Sequence, residues 1–266
     1  MKKHLLTTCI MIVTLLALLV GCSNSNEDSK DANSATDNEK LIIGIDDAFA
    51  PMGFRDENNE IVGFDIDLAK ATGEEMGKEV VFQPIDWSSK ESELSSGRIH
   101  LIWNGYTITE ERAKKVLLTK PYLANNQVIV TLKDSEIKKI DDLKDKEIGI
   151  QAQSSAVDAW NEAPVSKEVA GLDEYKTNDL ALMDLENKRV DAVVIDEVVV
   201  NYKMTKKPDT FTVLDEKLAP EEYAVGVAKG NEELLNELQT AIDALIADGT
   251  AAEISEKWFG EDKVLN

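Results

Sequence analysis

Cysteine and histidine are nearly absent from this 266-residue chain, which has two of each, and Cys9 and His4 lie within the first ten residues. Beyond that segment only Cys22 and His100 remain. One thiol forms no internal disulfide, so the fold has to stand on an apolar core. A single histidine excludes histidine-based triads, and with one thiol it also excludes Cys/His zinc sites. Positive charge is scarce as well: 29 Lys plus Arg face 51 Asp plus Glu, and without Lys2 and Lys3 the balance is 27 against 51, or −24. So acidic a body repels phosphate backbones and anionic headgroups, which excludes nucleic acid and a basic membrane-binding surface. No metal site or cofactor is expected. The one long apolar run, residues 5–20, is shorter than the roughly 20 residues a membrane-spanning helix needs.

What is present gives that run a different role. Met1, Lys2 and Lys3 precede it and Leu19-Val20-Gly21-Cys22 ends it, the charged start, apolar middle and small-residue cleavage site of a secretory signal placed directly before a cysteine. Residues 1–21 read as a lipoprotein signal peptide, with Cys22 as the lipidation site. The lipid would hold the protein on the extracytoplasmic face of the cell membrane. Residues 22–39 are rich in Ser, Asn, Asp and Glu and read as a flexible tether. About 225 residues follow, enough for one large domain or two lobes with cores of their own.

Short aliphatic runs alternate with helical patterns through this body, which predicts an α/β fold with mainly parallel sheets. Strands are expected at 41–45, 79–84, 99–103, 127–132, 147–151, 192–195, 211–214 and 223–228. Helices are expected at 65–76, 90–96, 155–161, 179–187, 198–203, 232–247 and 251–258, with Gly249 ending the first of the last two. No internal repeat is visible. In such sheets ligands sit beyond the carboxyl ends of strands, which singles out residues 104–107, 153–155 and 196.

Arg112 stands at the start of a short helical stretch, behind Glu110 and Glu111. A solvated surface charge is the plain reading; the alternative is a fork for a carboxylate, aided by a backbone N–H at Gly105 and the Thr107 hydroxyl. Asp196 reads equally as a helix cap or as an ammonium ligand, and with Arg112 it completes a pair suited to a zwitterion. Asp65 reads as a cap. Phe49 and Trp87 are core residues or stacking surfaces.

Four segments together carry a resemblance: Phe49-Ala50-Pro51-Met52-Gly53-Phe54; Gly63-Phe64-Asp65-Ile66-Asp67-Leu68-Ala69; Gly105-Tyr106-Thr107-Ile108-Thr109-Glu110-Glu111-Arg112; and Arg189-Val190-Asp191-Ala192 leading to Asp196-Glu197. In this order, behind the lipobox, they resemble the polar amino-acid solute-binding proteins of ABC importers. The resemblance implies a two-lobed periplasmic-binding-protein-like α/β fold with two hinge strands, the ligand in the interlobe cleft, and closure on binding. Residues 40–127 and 225–266 would form one lobe and 128–224 the other. Arg112, with Thr107 and the Gly105 backbone, would bind the α-carboxylate, and Asp196 the α-amino group. Phe49 and Trp87 would sandwich the side chain, Ser154 and Ser155 would add carboxylate contacts, and Asp46 and Gln151 would meet its tip. The implied partners are a small amino acid, cationic or amide in its side chain, and the membrane subunits of the importer, for a chain that is itself a monomer. The sequence departs from the family at Gln151-Ala152-Gln153-Ser154-Ser155, where glycine is common, at His100, where an acid is common, and at Trp103-Asn104, which replace smaller residues. A dehydratase-type enzyme on the same fold, a cystine-binding protein, and a sensor or adhesin without ligand are the alternatives.

Overall fold

The computed structural model describes residues 40–266. The signal, Cys22 and the tether up to residue 39 lie outside the described residues. The chain runs β1 (Lys40–Ile45), β2 (Ala48–Phe49), β3 (Gly53–Arg55), β4 (Ile61–Val62), α1 (Phe64–Glu75), β5 (Glu79–Pro84), α2 (Lys90–Ser95), β6 (Leu101–Thr107), α3 (Glu110–Lys115), β7 (Val116–Leu118) and β8 (Leu123–Leu132). It continues through β9 (Glu147–Gln151), α4 (Ser155–Glu162), β10 (Gly171–Tyr175), α5 (Asn178–Glu186), β11 (Ala192–Asp196), α6 (Glu197–Lys206), β12 (Phe211–Val213), β13 (Ala219–Ala228), α7 (Glu232–Ala247) and α8 (Thr250–Phe259).

The fold is α/β and two-lobed. One ten-stranded sheet runs in the order β10-β9-β11-β8-β13-β6-β1-β5, with β12 beside β8 and β7 beside β13. Its two ends are parallel: β5-β1-β6 on one side, β10-β9-β11 on the other. Its middle is antiparallel, because β8 leaves the first end and β13 returns to it: β8 pairs with β11, β13 with β6, and the two with each other. The expectation of mainly parallel sheets therefore holds only at the two ends. At ten residues each, β8 and β13 are the longest strands among the described residues and join the two lobes.

Burial follows the sequence pattern. In α7 the buried residues Leu238, Ala241, Ile242 and Leu245 fall on one helical stripe, and Asn231 caps the start by accepting from the Leu234 N–H. Gly249 at φ 91° turns the chain into α8. One apolar cluster runs from Ile43, Phe64 and Leu101 to Val193 and Ile195; a second surrounds Trp160 with Ile148 and Ile150, and a third joins Trp87, Ile102 and Tyr106. Every residue of β6 is buried, Asn104 included.

Candidate functional site

All ten residues assigned to the ligand in the sequence are buried, most of them in or just after strands, with Trp87 in a 3-10 turn and Arg112 in α3. Thr109 opens α3 by accepting from the Arg112 N–H, which places Arg112 one turn into the helix with its side chain free to fold back. Its guanidinium donates to the Thr107 carbonyl at 2.9 Å and lies over the Tyr106 ring, 4.4 Å from the centroid. Arg112 is only 6% exposed, so the solvated-charge reading is overturned. Among the described residues no carboxylate forms an ion pair with it.

The acids form the complement. Asp196 ends β11 and stands in the cap position of α6 without capping it. It accepts instead from Asn125 Nδ2 at 2.9 Å and from the Tyr223 hydroxyl. Burial first, then the charge of Glu221, pushes its carboxyl well above the usual range. Glu221 takes a bond from the same Asn125 amide, at 2.5 Å, and another from Gln127 at 3.0 Å. Asp46, just after β1, accepts from Gln151 Nε2 at 2.7 Å and from the Ala48 N–H at 3.1 Å. Burial, opposed by those bonds, pushes it up to about 6. Neither Asp46 nor Asp196 has a basic partner among the described residues.

The Asp46–Gln151 bond links the end of β1 to the end of β9, and the hydroxyls of Thr107 and Ser155, 3.0 Å apart, link the end of β6 to the start of α4. Gln127 donates to Ser155 Oγ at 3.4 Å, so a chain of polar contacts runs from Arg112 through Thr107, Ser155, Gln127, Glu221 and Asn125 to Asp196. The Ser154 hydroxyl donates to the Gln151 carbonyl at 2.7 Å, and Asn178 donates to Gln151 Oε1 at 3.2 Å. In the same loop Gln153 adopts φ 57°, the left-handed turn for which glycine is common.

Aromatic rings close the site. Trp87, in a 3-10 turn fixed by Asp86, meets Tyr106 edge to face at 6.1 Å. Phe49 packs against Gly105: a Cβ built there would come 2.7 Å from Phe49 Cε1 and 3.3 Å from Tyr223, at φ +58°. Glycine is required on both counts.

Two expectations are corrected. Asp65 is no cap. It lies in the first turn of α1, accepts from the Gly105 N–H at 2.7 Å and the Tyr122 hydroxyl at 2.9 Å, and is raised to about 7 by burial. The Gly105 N–H is therefore spent on Asp65 and is not a free donor for an anion. Asn125, Gln127, Glu221 and Tyr223 escaped the sequence reading. They sit on β8 and β13, whose cleft-facing positions carry no motif, although polar residues inside two apolar strands were a usable signal. Gln127 Oε1 and both amide atoms of Asn104 are buried and find no partner among the described residues. No cluster of His, Cys, Asp and Glu among those residues could hold a metal ion, and no described helix is long and apolar enough to cross a membrane.

Two α/β lobes joined by a pair of long strands, with buried charges of both signs where they meet, are the architecture of a solute-binding protein. The model for bacterial extracellular solute-binding proteins, family 3, matches residues 41–261, and the chain belongs to that family. It is 31% identical to the L-cystine-binding protein TcyJ of Escherichia coli (strain K12), over 97% of both chains. It is 30% identical to the arginine-binding extracellular protein ArtP of Bacillus subtilis (strain 168), over 99% of this chain and 100% of that one. Among solved structures, an ABC uptake transporter substrate-binding protein from Streptococcus pneumoniae with bound histidine superposes with a TM-score of 0.84 at 40% identity, covering 88% of this chain and 98% of that one.

Proposed function

We propose that this protein captures a cationic amino acid (arginine, lysine or histidine) outside the cytoplasm and presents it to the membrane subunits of an ABC importer. One observation carries the reading: Arg112, Asp196 and Asp46 are buried around one site, and none is paired with an opposite charge among the described residues. Leaving buried charges uncompensated is costly. A carboxylate on Arg112, an α-ammonium on Asp196 and a cationic tip on Asp46 would satisfy all three at once. Ser154, Ser155 and Thr107 add hydroxyls at the carboxylate end, Gln127 and Glu221 add acceptors at the ammonium end, and Phe49 and Trp87 enclose the stem.

Residues 40–127 with 225–266 form one lobe in this reading and 128–224 the other, so Arg112 and Asp196 belong to opposite lobes. Only the closed form satisfies both ends of the ligand, and the ligand thereby drives closure. The chain acts as a monomer, held at the membrane through a lipid on Cys22. The names of its histidine- and arginine-binding relatives agree with the cationic reading. Cystine is the second reading, favoured by the likeness to the L-cystine-binding protein of Escherichia coli.

A thermal-shift screen of the purified protein against the common amino acids and cystine tests the proposal, since a ligand at 100 times its Kd adds about 2.7 kcal/mol of stability. Arginine, lysine or histidine should rank first. Arg112→Met and Asp196→Asn should each weaken binding by about 2–5 kcal/mol, roughly 30-fold to several thousand-fold. Stabilisation by cystine alone would replace the first reading with the second, and wild-type affinity in either variant would remove the clamp.

A further inference from the structure

Arg112 is not the only buried cation at its end of the site. Lys90, the first residue of α2, is 2% exposed. Its ammonium donates to the Trp87 carbonyl at 3.1 Å and, across the cleft, to the Gln153 carbonyl at 2.9 Å. It also lies over the Trp87 ring, 5.2 Å from the centroid. Lys90 and Arg112 therefore flank the edge-to-face pair of Trp87 and Tyr106, and both border one cavity of about 170 Å³ that Gln153 and Ser154 also line.

The acids facing this pair answer Lys90 only in part and form no ion pair with Arg112 among the described residues. Glu91 reaches Lys90 at 3.5 Å but also accepts from the Tyr106 hydroxyl at 3.0 Å. Glu111 is paired with Lys115 at 2.5 Å on the surface, and Asp158 is exposed. Burial, then the nearby Arg112 charge, pulls Lys90 down to about 8 against the opposing pull of Glu91. Two cations held apart from water in this way repel each other, and an anion between them reverses the sign of the interaction.

We propose that Lys90 is a specificity-determining residue of this site: two main-chain carbonyls, one from each side of the cleft, hold its ammonium near Arg112, so that the closed protein selects a ligand with a full carboxylate at that end. The inference rests on the reading of Arg112 as the carboxylate-binding residue. Lys90 acts through its charge, because two of its three donors are engaged by the carbonyls and Glu91 lies 3.5 Å from the ammonium. A neutral amide in the same place leaves Arg112 without a counter-charge and Lys90 with Glu91 alone, whereas a carboxylate answers both.

Titration calorimetry with L-arginine and L-argininamide on the wild type, Lys90→Met and Arg112→Met separates the possibilities. The wild type should prefer the acid strongly. Lys90→Met should weaken L-arginine about tenfold while leaving the amide unchanged or tighter, narrowing the preference by that factor. Arg112→Met should nearly abolish it. An equal loss for both ligands in Lys90→Met would mean that Lys90 merely ties the lobes together, and an unchanged preference would mean it does nothing here; either overturns the inference. A wild type that binds the acid no better than the amide, or an Arg112→Met protein that keeps the preference, overturns the reading of Arg112 itself. If Lys90→Met melts far below the wild type, Lys90→Gln supplies the same comparison.

Discussion

Replacing Asp46 with Asn keeps the size of the side chain, removes its charge and leaves one of its two accepted bonds. In the structure the Asp46 carboxyl is raised to about 6 by burial, opposed by the bonds from Gln151 and Ala48. A cationic ligand tip favours the ionised form and draws that value back toward the ordinary carboxylate range near 3.9. The sign follows from this difference. The bound form has the lower value, so the contribution of Asp46 to affinity is complete above about pH 6 and is lost as the pH falls through that range. At pH 5 only about a tenth of the ligand-free molecules carry the charge, so the Kd for L-arginine should be about tenfold weaker than at pH 7. Asp196 titrates in both proteins, so the difference between the two profiles belongs to Asp46. At pH 7 the Asn variant should lose about 1.5–3 kcal/mol for L-arginine, roughly 10- to 150-fold, and little for glutamine. Titration calorimetry at pH 5, 6 and 7 with both amino acids measures this. An Asn variant with the wild-type ligand ranking and acid limb would refute the assignment of Asp46 to the ligand tip.

The ligand-free protein should melt higher at pH 5 than at pH 8. Asp46, Asp65 and Asp196 all bind protons more tightly folded than unfolded, so stability falls as the pH rises between those limits. Scanning calorimetry checks the slope, and a melting temperature that climbs with pH would contradict it. At the other end of the chain, mass spectrometry of membrane-extracted protein should find an acylated Cys22 as the mature N-terminus, and Cys22→Ser should release the protein from the membrane fraction. A chain that starts elsewhere, or a serine variant that stays bound, would remove the anchor.

Strongly patterned elements were legible from sequence. The helix at 232–247 has a capping Asn, an apolar stripe and a glycine beyond its end, and its bounds come out as expected. The hairpin of β2, β3 and β4 was not, because strands of two or three residues around Pro51, Gly53, Asn58 and Asn59 carry no alternation to read. The first four residues of β13 were missed for a related reason: Ala219-Pro220-Glu221-Glu222 looks like a turn, and only pairing with β8 makes it a strand. At the site, motifs marked Arg112 and Asp196, and the structure buries both without an opposite charge among the described residues. Asp65 misled because an acid near a helix start is ordinarily a cap, whereas here its partners come from β6 and from Tyr122, far away in sequence. The same distance hid Asn125, Gln127, Glu221 and Tyr223, which reach Asp196 and Ser155 only once the two long strands lie side by side.

Those two strands have a mechanical consequence. A relative rotation of the lobes has to be taken up as twist in β8 and β13, and the groups around Asp196 are mounted on the elements that twist. Asn125 and Gln127 ride on one strand, Glu221 and Tyr223 on the other, and Asp196 is hydrogen-bonded to both. In the proposed reading the strands that would twist are thus also those that meet the ligand's ammonium. A charge that settled beside Asp196 would then bear on both strands at once, and the angle between the lobes would carry that information to the outer surface.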